Sequence, residues 1–261
     1  MVTILDQIVA QKQLEISDAK KAMPIEQLSE KLSDAPVARN FLAALQSSDG
    51  VSLIAEVKKA SPSKGIIRKD FNPVAIAQIY AQSGASCISV LTDEHFFQGC
   101  LQYLSDVRQA VDVPVLRKDF IIDPYQVVEA RVAGADAVLL IAECLQDDQM
   151  NSLHDQIQSL GMTALVEFYD PANLDRVVNC GATLIGINNR DLNTFETDLE
   201  HCINMSKKLP PETTVVGESG IFTSADVARL SDAQIDAMLV GESLMRADDI
   251  SAAVKELLTT A

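Results

Sequence analysis

Val51-Ser-Leu-Ile-Ala-Glu-Val-Lys-Lys-Ala-Ser-Pro-Ser-Lys-Gly65 begins as an apolar run and ends in charge. Its first half fits a strand covered on both faces, because Val, Leu and Ile suit a buried pleated surface. Side chains two apart on a strand share a face, so Ile54, Glu56 and Lys58 are predicted to point the same way. A carboxylate and an ammonium on an inward face are costly unless they pair or act. Two readings therefore stand side by side: a buried ion pair at a strand end, and one edge of a catalytic site. Ser61-Pro-Ser-Lys-Gly65 then turns the chain and is expected to form a mobile lid.

Downstream of this stretch, short runs rich in Val, Ile and Leu alternate with longer amphipathic helical patterns, the mark of βα units and a parallel sheet. The runs lie near 51–57, 86–91, 113–117, 137–142, 163–167, 183–188, 214–218 and 237–241. Gly84-Ala-Ser, Gly134-Ala-Asp and Gly181-Ala-Thr recur about every fifty residues, each where a helical pattern gives way to a strand, as suits a left-handed C-cap. Eight units predict an α/β fold, a (β/α)8 TIM barrel, because a doubly wound open sheet usually has fewer strands and a Gly-rich first turn. Neither GxGxxG nor GxxxxGK followed by Ser or Thr occurs, which removes the main support for a nucleotide-binding fold. A helix from about Ala247 to Leu258 is expected to close the chain.

Upstream, residues 1–49 read as an N-terminal helical extension of the barrel, with 1–261 forming one domain and no second enzyme domain fused to it. Thr3 ahead of Asp6 predicts a capped start, and Ile4, Leu5, Ile8 and Val9 form one stripe. Pro24 and Pro36 divide the extension into three short helices. Ile25, Leu28 and Leu32 keep helical spacing in the second, and Phe41, Leu42 and Leu45 in the third.

With 261 residues, 48% of them hydrophobic, the chain can bury one large core. A formal net charge of -16 argues against nucleic acid and anionic membrane surfaces as partners, since both require a basic field. Cys87, Cys100, Cys144, Cys180 and Cys202 are scattered without a CxxC pair, and the three histidines have no ligand spacing. The expectation is reduced thiols, no metal site and a cytoplasmic protein. No basic region leads into an apolar run at the N-terminus, and no run reaches the roughly eighteen apolar residues of a membrane span.

In such a barrel, function belongs to the C-terminal strand ends and the loops after them. The first strand ends in Glu56 and Lys58, the third in Lys118, the fifth in Glu167, the sixth in Asn188 and Arg190, and the seventh in Glu218. One such group fits a structural ion pair, but five strands delivering polar groups to one rim point to chemistry. Glu218-Ser219-Gly220 and Gly241-Glu242-Ser243 each read as strand, tight turn and helix start, where backbone N–H groups can hold a phosphate in an acidic protein. Lys58 and Ser61 would close that site from the first strand. Two lysines and several glutamates suggest acid–base work, each lysine lowering the pKa of the other. Phe97 and Phe120 read either as an apolar wall for an aromatic ring or as cover for the barrel mouth.

These residues also carry a family resemblance. Ile54 to Gly65, Val90-Leu-Thr-Asp-Glu94 with Phe97-Gln-Gly99, Leu116-Arg-Lys-Asp-Phe120, Ile185-Gly-Ile-Asn-Asn-Arg-Asp-Leu192, Gly217-Glu-Ser-Gly-Ile221 and Val240-Gly-Glu-Ser-Leu-Met245 resemble the indole-3-glycerol phosphate synthases, in order along nearly the whole chain. The resemblance implies ring closure of the sugar phosphate 1-(2-carboxyphenylamino)-1-deoxyribulose 5-phosphate with loss of carbon dioxide and water, without cofactor or metal. It implies Lys118 as general acid, Glu167 as general base, Lys58 as a carboxylate-binding and acid–base residue tuned by Glu56, and Asn188 and Arg190 as groups orienting the substrate. Ser61, Ser219, Gly220, Gly241 and Glu242 would hold phosphate, the last by its backbone alone. Phe97, Phe120 and Leu239 would line the pocket for the aromatic ring.

Three readings remain at this point. Besides that enzyme, a sugar-phosphate isomerase or a Schiff-base aldolase using Lys118 as nucleophile fits a phosphate-binding barrel. A catalytically silent barrel would lack one of the acid–base groups at the rim, and none is missing.

Overall fold

A computed structural model of the chain describes residues 3–47, 50–191 and 194–259. Leu192, the last residue of the sixth-strand motif, lies outside them, as do residues 1, 2, 48 and 49 of the extension. Eight parallel strands close into a barrel: β1 (Ser52–Val57), β2 (Cys87–Leu91), β3 (Val115–Lys118), β4 (Ala137–Ile141), β5 (Thr163–Phe168), β6 (Leu184–Asn188), β7 (Thr214–Glu218) and β8 (Ala237–Val240). Each pairs with its sequence neighbours, and β1 also pairs with β8, from Ser52 opposite Ala237 to Ala55 opposite Val240. Every strand falls within two residues of its expected place.

The alternation of side chains sorts the core into two layers. Ile54, Leu116, Leu139, Leu165, Val216 and Leu239 point inward and pack on one another, whereas Leu53, Val115, Leu140, Val166 and Met238 point outward beneath the helices. The inward series continues up β1, β3, β5, β6 and β7 into Glu56, Lys118, Glu167, Asn188 and Glu218. That continuation places the charged groups at one end of the barrel. Gly84, Gly134 and Gly181 have φ of 109°, 93° and 79°, the left-handed conformation that ends a helix and sends the chain into the next strand.

The extension runs as α1 (Ile4–Ala22), α2 (Ile25–Glu30) with a 3-10 turn at Lys31–Asp34, and α3 (Phe41–Leu45). The Thr3–Asp6 capping box forms: Asp6 N donates to Thr3 Oγ1 at 3.1 Å and Thr3 N to Asp6 Oδ2 at 2.8 Å. The buried row of α1 differs from the expected stripe, because it is Ile8, Lys12 and Ile16, four residues apart. Leu28 packs on Tyr125 and Val128, and Phe41 and Leu45 close the lower end of the barrel. The extended segment before α3 is anchored at Asp136, whose carboxylate accepts Arg39 N at 2.7 Å and Val115 N at 2.8 Å and pairs with Arg108 Nε at 2.9 Å.

Two details depart from expectation at the loops. The closing helix runs Ile250–Leu258 and so begins later than the expected Ala247, because Asp249 caps it by accepting Ala252 N at 2.9 Å; the separate short helix Glu242–Arg246 follows the turn after β8. The turn after β1 is a short antiparallel hairpin, Ala60–Ser61 against Gly65–Ile66. Among the described residues no helix is long and apolar enough to cross a membrane.

Candidate active site

A cavity of about 190 Å³ opens at the C-terminal end of the barrel, and every residue expected at the site lines it. Glu56, Lys58 and Ser61 come from β1 and its hairpin, Phe97 from the loop after β2, and Lys118 and Phe120 from β3. Glu167, Asn188 and Arg190 come from β5 and β6. Glu218, Ser219, Gly220, Leu239, Gly241 and Glu242 come from β7 and β8.

The floor is charged. Lys118 Nζ donates to Glu167 Oε2 at 3.0 Å and to Glu218 Oε2 at 2.5 Å. Lys58 pairs with Glu56 at the adjoining edge. Asn188 Nδ2 donates to Glu167 Oε1 at 2.9 Å, and Asn188 Oδ1 accepts the Arg190 backbone N–H at 3.0 Å. Asn188 therefore orients the carboxylate, with its amide oxygen already committed to the backbone. Glu218 Oε1 is buried with no hydrogen-bond partner among the described residues. A Cβ at position 186 would collide with that oxygen, so Gly186 leaves the space the carboxylate occupies.

Burial acts on Lys118, Glu167 and Glu218 alike, and their neighbours decide the outcome. Burial alone would lower the pKa of Lys118, but Glu167, Glu218 and Glu56 outweigh it and hold the ammonium above the usual lysine range. The expected lowering is thereby overturned at Lys118, where three carboxylates outweigh burial. Burial would raise Glu167, yet Lys118 and the Asn188 amide keep it below the ordinary glutamate value. Glu218 is pushed up to about 8, first by burial and then by the charge of Glu167. The free site thus contains a lysine that holds its proton, a carboxylate that is ionised and a second carboxyl that retains a proton near neutrality.

The walls and the far end are different in kind. The rings of Phe97 and Phe120 stand 6.1 Å apart at 37°. Ile4, Leu5 and Ile8 of α1, Leu91, Ile141, Phe195 and Phe222 complete the apolar lining, and none of these was expected at the site. The stripe of α1 was the available signal for three of them, since its apolar side chains also face the barrel mouth. Ser219 and Gly220 carry φ of 66° and 75°, a tight turn held by Asn189 Nδ2 donating to Ser219 O at 3.0 Å. Ser243 Oγ ties the two final loops by donating to Ile221 O at 3.3 Å. The Glu242 carboxylate is engaged by Arg190 Nη2 at 3.6 Å and Arg246 Nε at 3.1 Å, which moderates its charge beside an anion. A Cβ at Gly241 would strike the Glu56 carboxylate, so this glycine shapes the acid–base edge as well as the loop.

Comparison with known proteins agrees with this geometry. The sequence profile described as indole-3-glycerol phosphate synthase matches residues 5–257. A protein of that name from Rhodopirellula baltica is 54% identical over 259 residues, covering 99% of this chain and 100% of its own. One from Polaromonas naphthalenivorans is 49% identical over 260 residues, covering 98% and 99%. Among solved structures, thiamine phosphate pyrophosphorylase from Pyrococcus furiosus superposes with a TM-score of 0.60 at 16% identity, over 79% of this chain and 93% of its own. KGPDC from Streptococcus mutans gives 0.61 at 12% identity, over 79% and 95%. At such identities the last two bear on the barrel fold alone.

Proposed function

The chain belongs to the indole-3-glycerol phosphate synthase family, decarboxylating lyases of tryptophan biosynthesis, and from that premise we propose that Lys118 is the general acid of its ring closure. The observation that carries this assignment is the Lys118 ammonium between Glu167 at 3.0 Å and Glu218 at 2.5 Å, at the floor of a mostly apolar cavity.

In this reading the aromatic ring of 1-(2-carboxyphenylamino)-1-deoxyribulose 5-phosphate lies against Phe97, Phe120 and Leu239. Its phosphate meets Ser61 and the backbone of Ser219, Gly220, Gly241 and Glu242. The carboxylated ring carbon attacks the ribulose carbonyl as Lys118 gives a proton to the carbonyl oxygen. Carbon dioxide then leaves, and the electron pair of the broken bond restores the arene. Lys58, paired with Glu56, supplies a second proton to the new hydroxyl, which departs as water. Glu167 takes the nitrogen-bound proton, and a proton shift from carbon to nitrogen completes the indole. Two protons given and one taken leave one consumed, as loss of carbon dioxide from a carboxylate requires.

The apolar walls serve this sequence by keeping water from the charged floor, so that each ion pair interacts more strongly than in solution. Glu218 adds a protonated carboxyl that keeps two anions from crowding one ammonium. The same reading makes a small sugar phosphate the partner of a cytoplasmic protein, with no role for nucleic acid or membrane, in keeping with a net charge of -16. It takes the chain as one barrel domain with residues 1–49 as its extension, supported by a profile match that runs through both.

The aldolase alternative needs Lys118 as a neutral amine, and the ionised Glu167 beside it opposes that form. Borohydride added with substrate is expected to leave Lys118 unlabelled; a stable adduct at Lys118 by mass spectrometry would replace the general-acid role with a covalent one.

A further inference from the structure

The groups that fix Phe97 and Phe120 lead out of the cavity to α1. Asp93, fully buried in the loop after β2, accepts the backbone N–H of Phe96 at 2.7 Å and of Phe97 at 3.2 Å through Oδ1. Asp119 stands in sequence between Lys118 and Phe120, and accepts the Thr92 hydroxyl at 2.6 Å and Arg117 Nη2 at 3.2 Å. One cation joins the two carboxylates. Lys12 Nζ lies 2.9 Å from Asp93 Oδ2 and 3.0 Å from Asp119 Oδ1, with Glu15 of its own helix at 2.7 Å, and its side chain is 5% exposed.

Lys12 occupies the middle of the buried row Ile8, Lys12, Ile16. Docking alone would be served by a third apolar side chain, since burying an ammonium costs desolvation that only well-placed anions repay. Two of its three anions, Asp93 and Asp119, belong to the loops that carry the walls of the cavity. Without the cation, two buried carboxylates would repel one another and the loops would part.

We propose that Lys12 is a positioning residue for the ring closure: by clamping Asp93 to Asp119 it sets the spacing of Phe97 and Phe120 and holds the strand end that bears Lys118. The proposal rests on the reading of the two phenylalanines as the aromatic slot. Its consequence is that a helix outside the barrel controls one half of the substrate site and leaves the phosphate half, on the loops after β7 and β8, untouched.

The test is steady-state kinetics on Lys12→Met, which keeps the length of the side chain and removes its charge. The Michaelis constant for the carboxyphenylamino ribulose phosphate is expected to rise by about tenfold or more, while the inhibition constant of inorganic phosphate stays within about twofold. Lys12→Arg restores a cation and recovers most of the loss. Lys20→Ala, which removes an exposed pair with Asp123 from the same helix, leaves both constants unchanged. An unchanged Michaelis constant in folded Lys12→Met overturns the proposal, and so does an equal weakening of phosphate, which would mean general loosening. If Lys12→Met does not fold, Asp93→Asn removes one charge of the clamp, and the same split between substrate and phosphate decides. Phe120→Ala checks the slot separately: a raised Michaelis constant there with none in Lys12→Met rejects the clamp alone, whereas no change in Phe120→Ala rejects the slot and the clamp together.

Discussion

Two lysines of this barrel, Lys118 and Lys12, each sit between carboxylates, at 3.0 and 2.5 Å in one case and at 2.7, 2.9 and 3.0 Å in the other. Burial alone would lower both pKa values, and in both the neighbouring anions reverse the sign. What differs is the supply of donors to Asp119 on one side and to Glu218 on the other. Asp119 beside Lys12 also receives Thr92, Arg117 and the Phe120 N–H, and its own pKa is lowered despite burial. Glu218 beside Lys118 has an oxygen with no partner among the described residues and is pushed up to about 8. Burial and ion pairing alone therefore do not mark a reactive lysine. An under-supplied carboxyl on the wall of an open cavity does, because that is where a substrate can displace a partner.

The contrast predicts opposite costs when a partner is removed. Asp119→Asn removes the anion shared by Lys12 and Arg117 and leaves them Glu15, Asp93 and Glu129, so unfolding in urea should show a loss of about 3 kcal/mol, the lower end of the cost of breaking a buried pair. A loss below about 1 kcal/mol would mean that Glu15, Asp93 and Glu129 satisfy both cations without Asp119, and the comparison would fail. Gly241→Ala should act on the open cluster instead. Its Cβ displaces the Glu56 carboxylate from Lys58, and kcat/KM should fall by about tenfold with little change in melting temperature. Equal retention of kcat would confine Gly241 to the phosphate loop.

The remaining effect concerns pH. Glu218 titrates near 8 in the folded protein against 4.5 for an ordinary glutamate, so the folded state binds this proton more tightly. Its contribution to stability is fully present below pH 4.5 and is lost as the pH rises through 8. The melting temperature of the natural protein relative to Glu218→Gln should accordingly drift downward over that range. A difference that is flat or rises with pH would contradict the raised pKa.

The barrel was legible because each strand alternates between core and helix layers, and five of the inward series end in a polar residue. Glu56, Lys118, Glu167, Asn188 and Glu218 could be placed on one rim from spacing alone. Which of them pair could not. Strand order sets the rim, but the 2.5 Å between Lys118 and Glu218 depends on barrel closure and on Gly186 leaving room. Lys12 was hidden for a related reason. A lysine in an apolar row signals an unusual burial, and Glu15 three residues on is a local partner, yet the two anions that tie it to the site lie far along the chain, just after β3 and in the loop after β2. The pairing of Glu242 with Arg190 was likewise invisible, although the expectation that only its backbone serves an anion required some such partner.

The central claim is that the proton held by Lys118 starts the ring closure. Lys118→Met, given the carboxyphenylamino ribulose phosphate and followed by indole fluorescence, tests it directly, against a low background because the chain contains no Trp. Turnover should fall by roughly 10²–10⁴ with circular dichroism and phosphate inhibition unchanged, whereas turnover within about threefold of the natural protein would contradict the assignment.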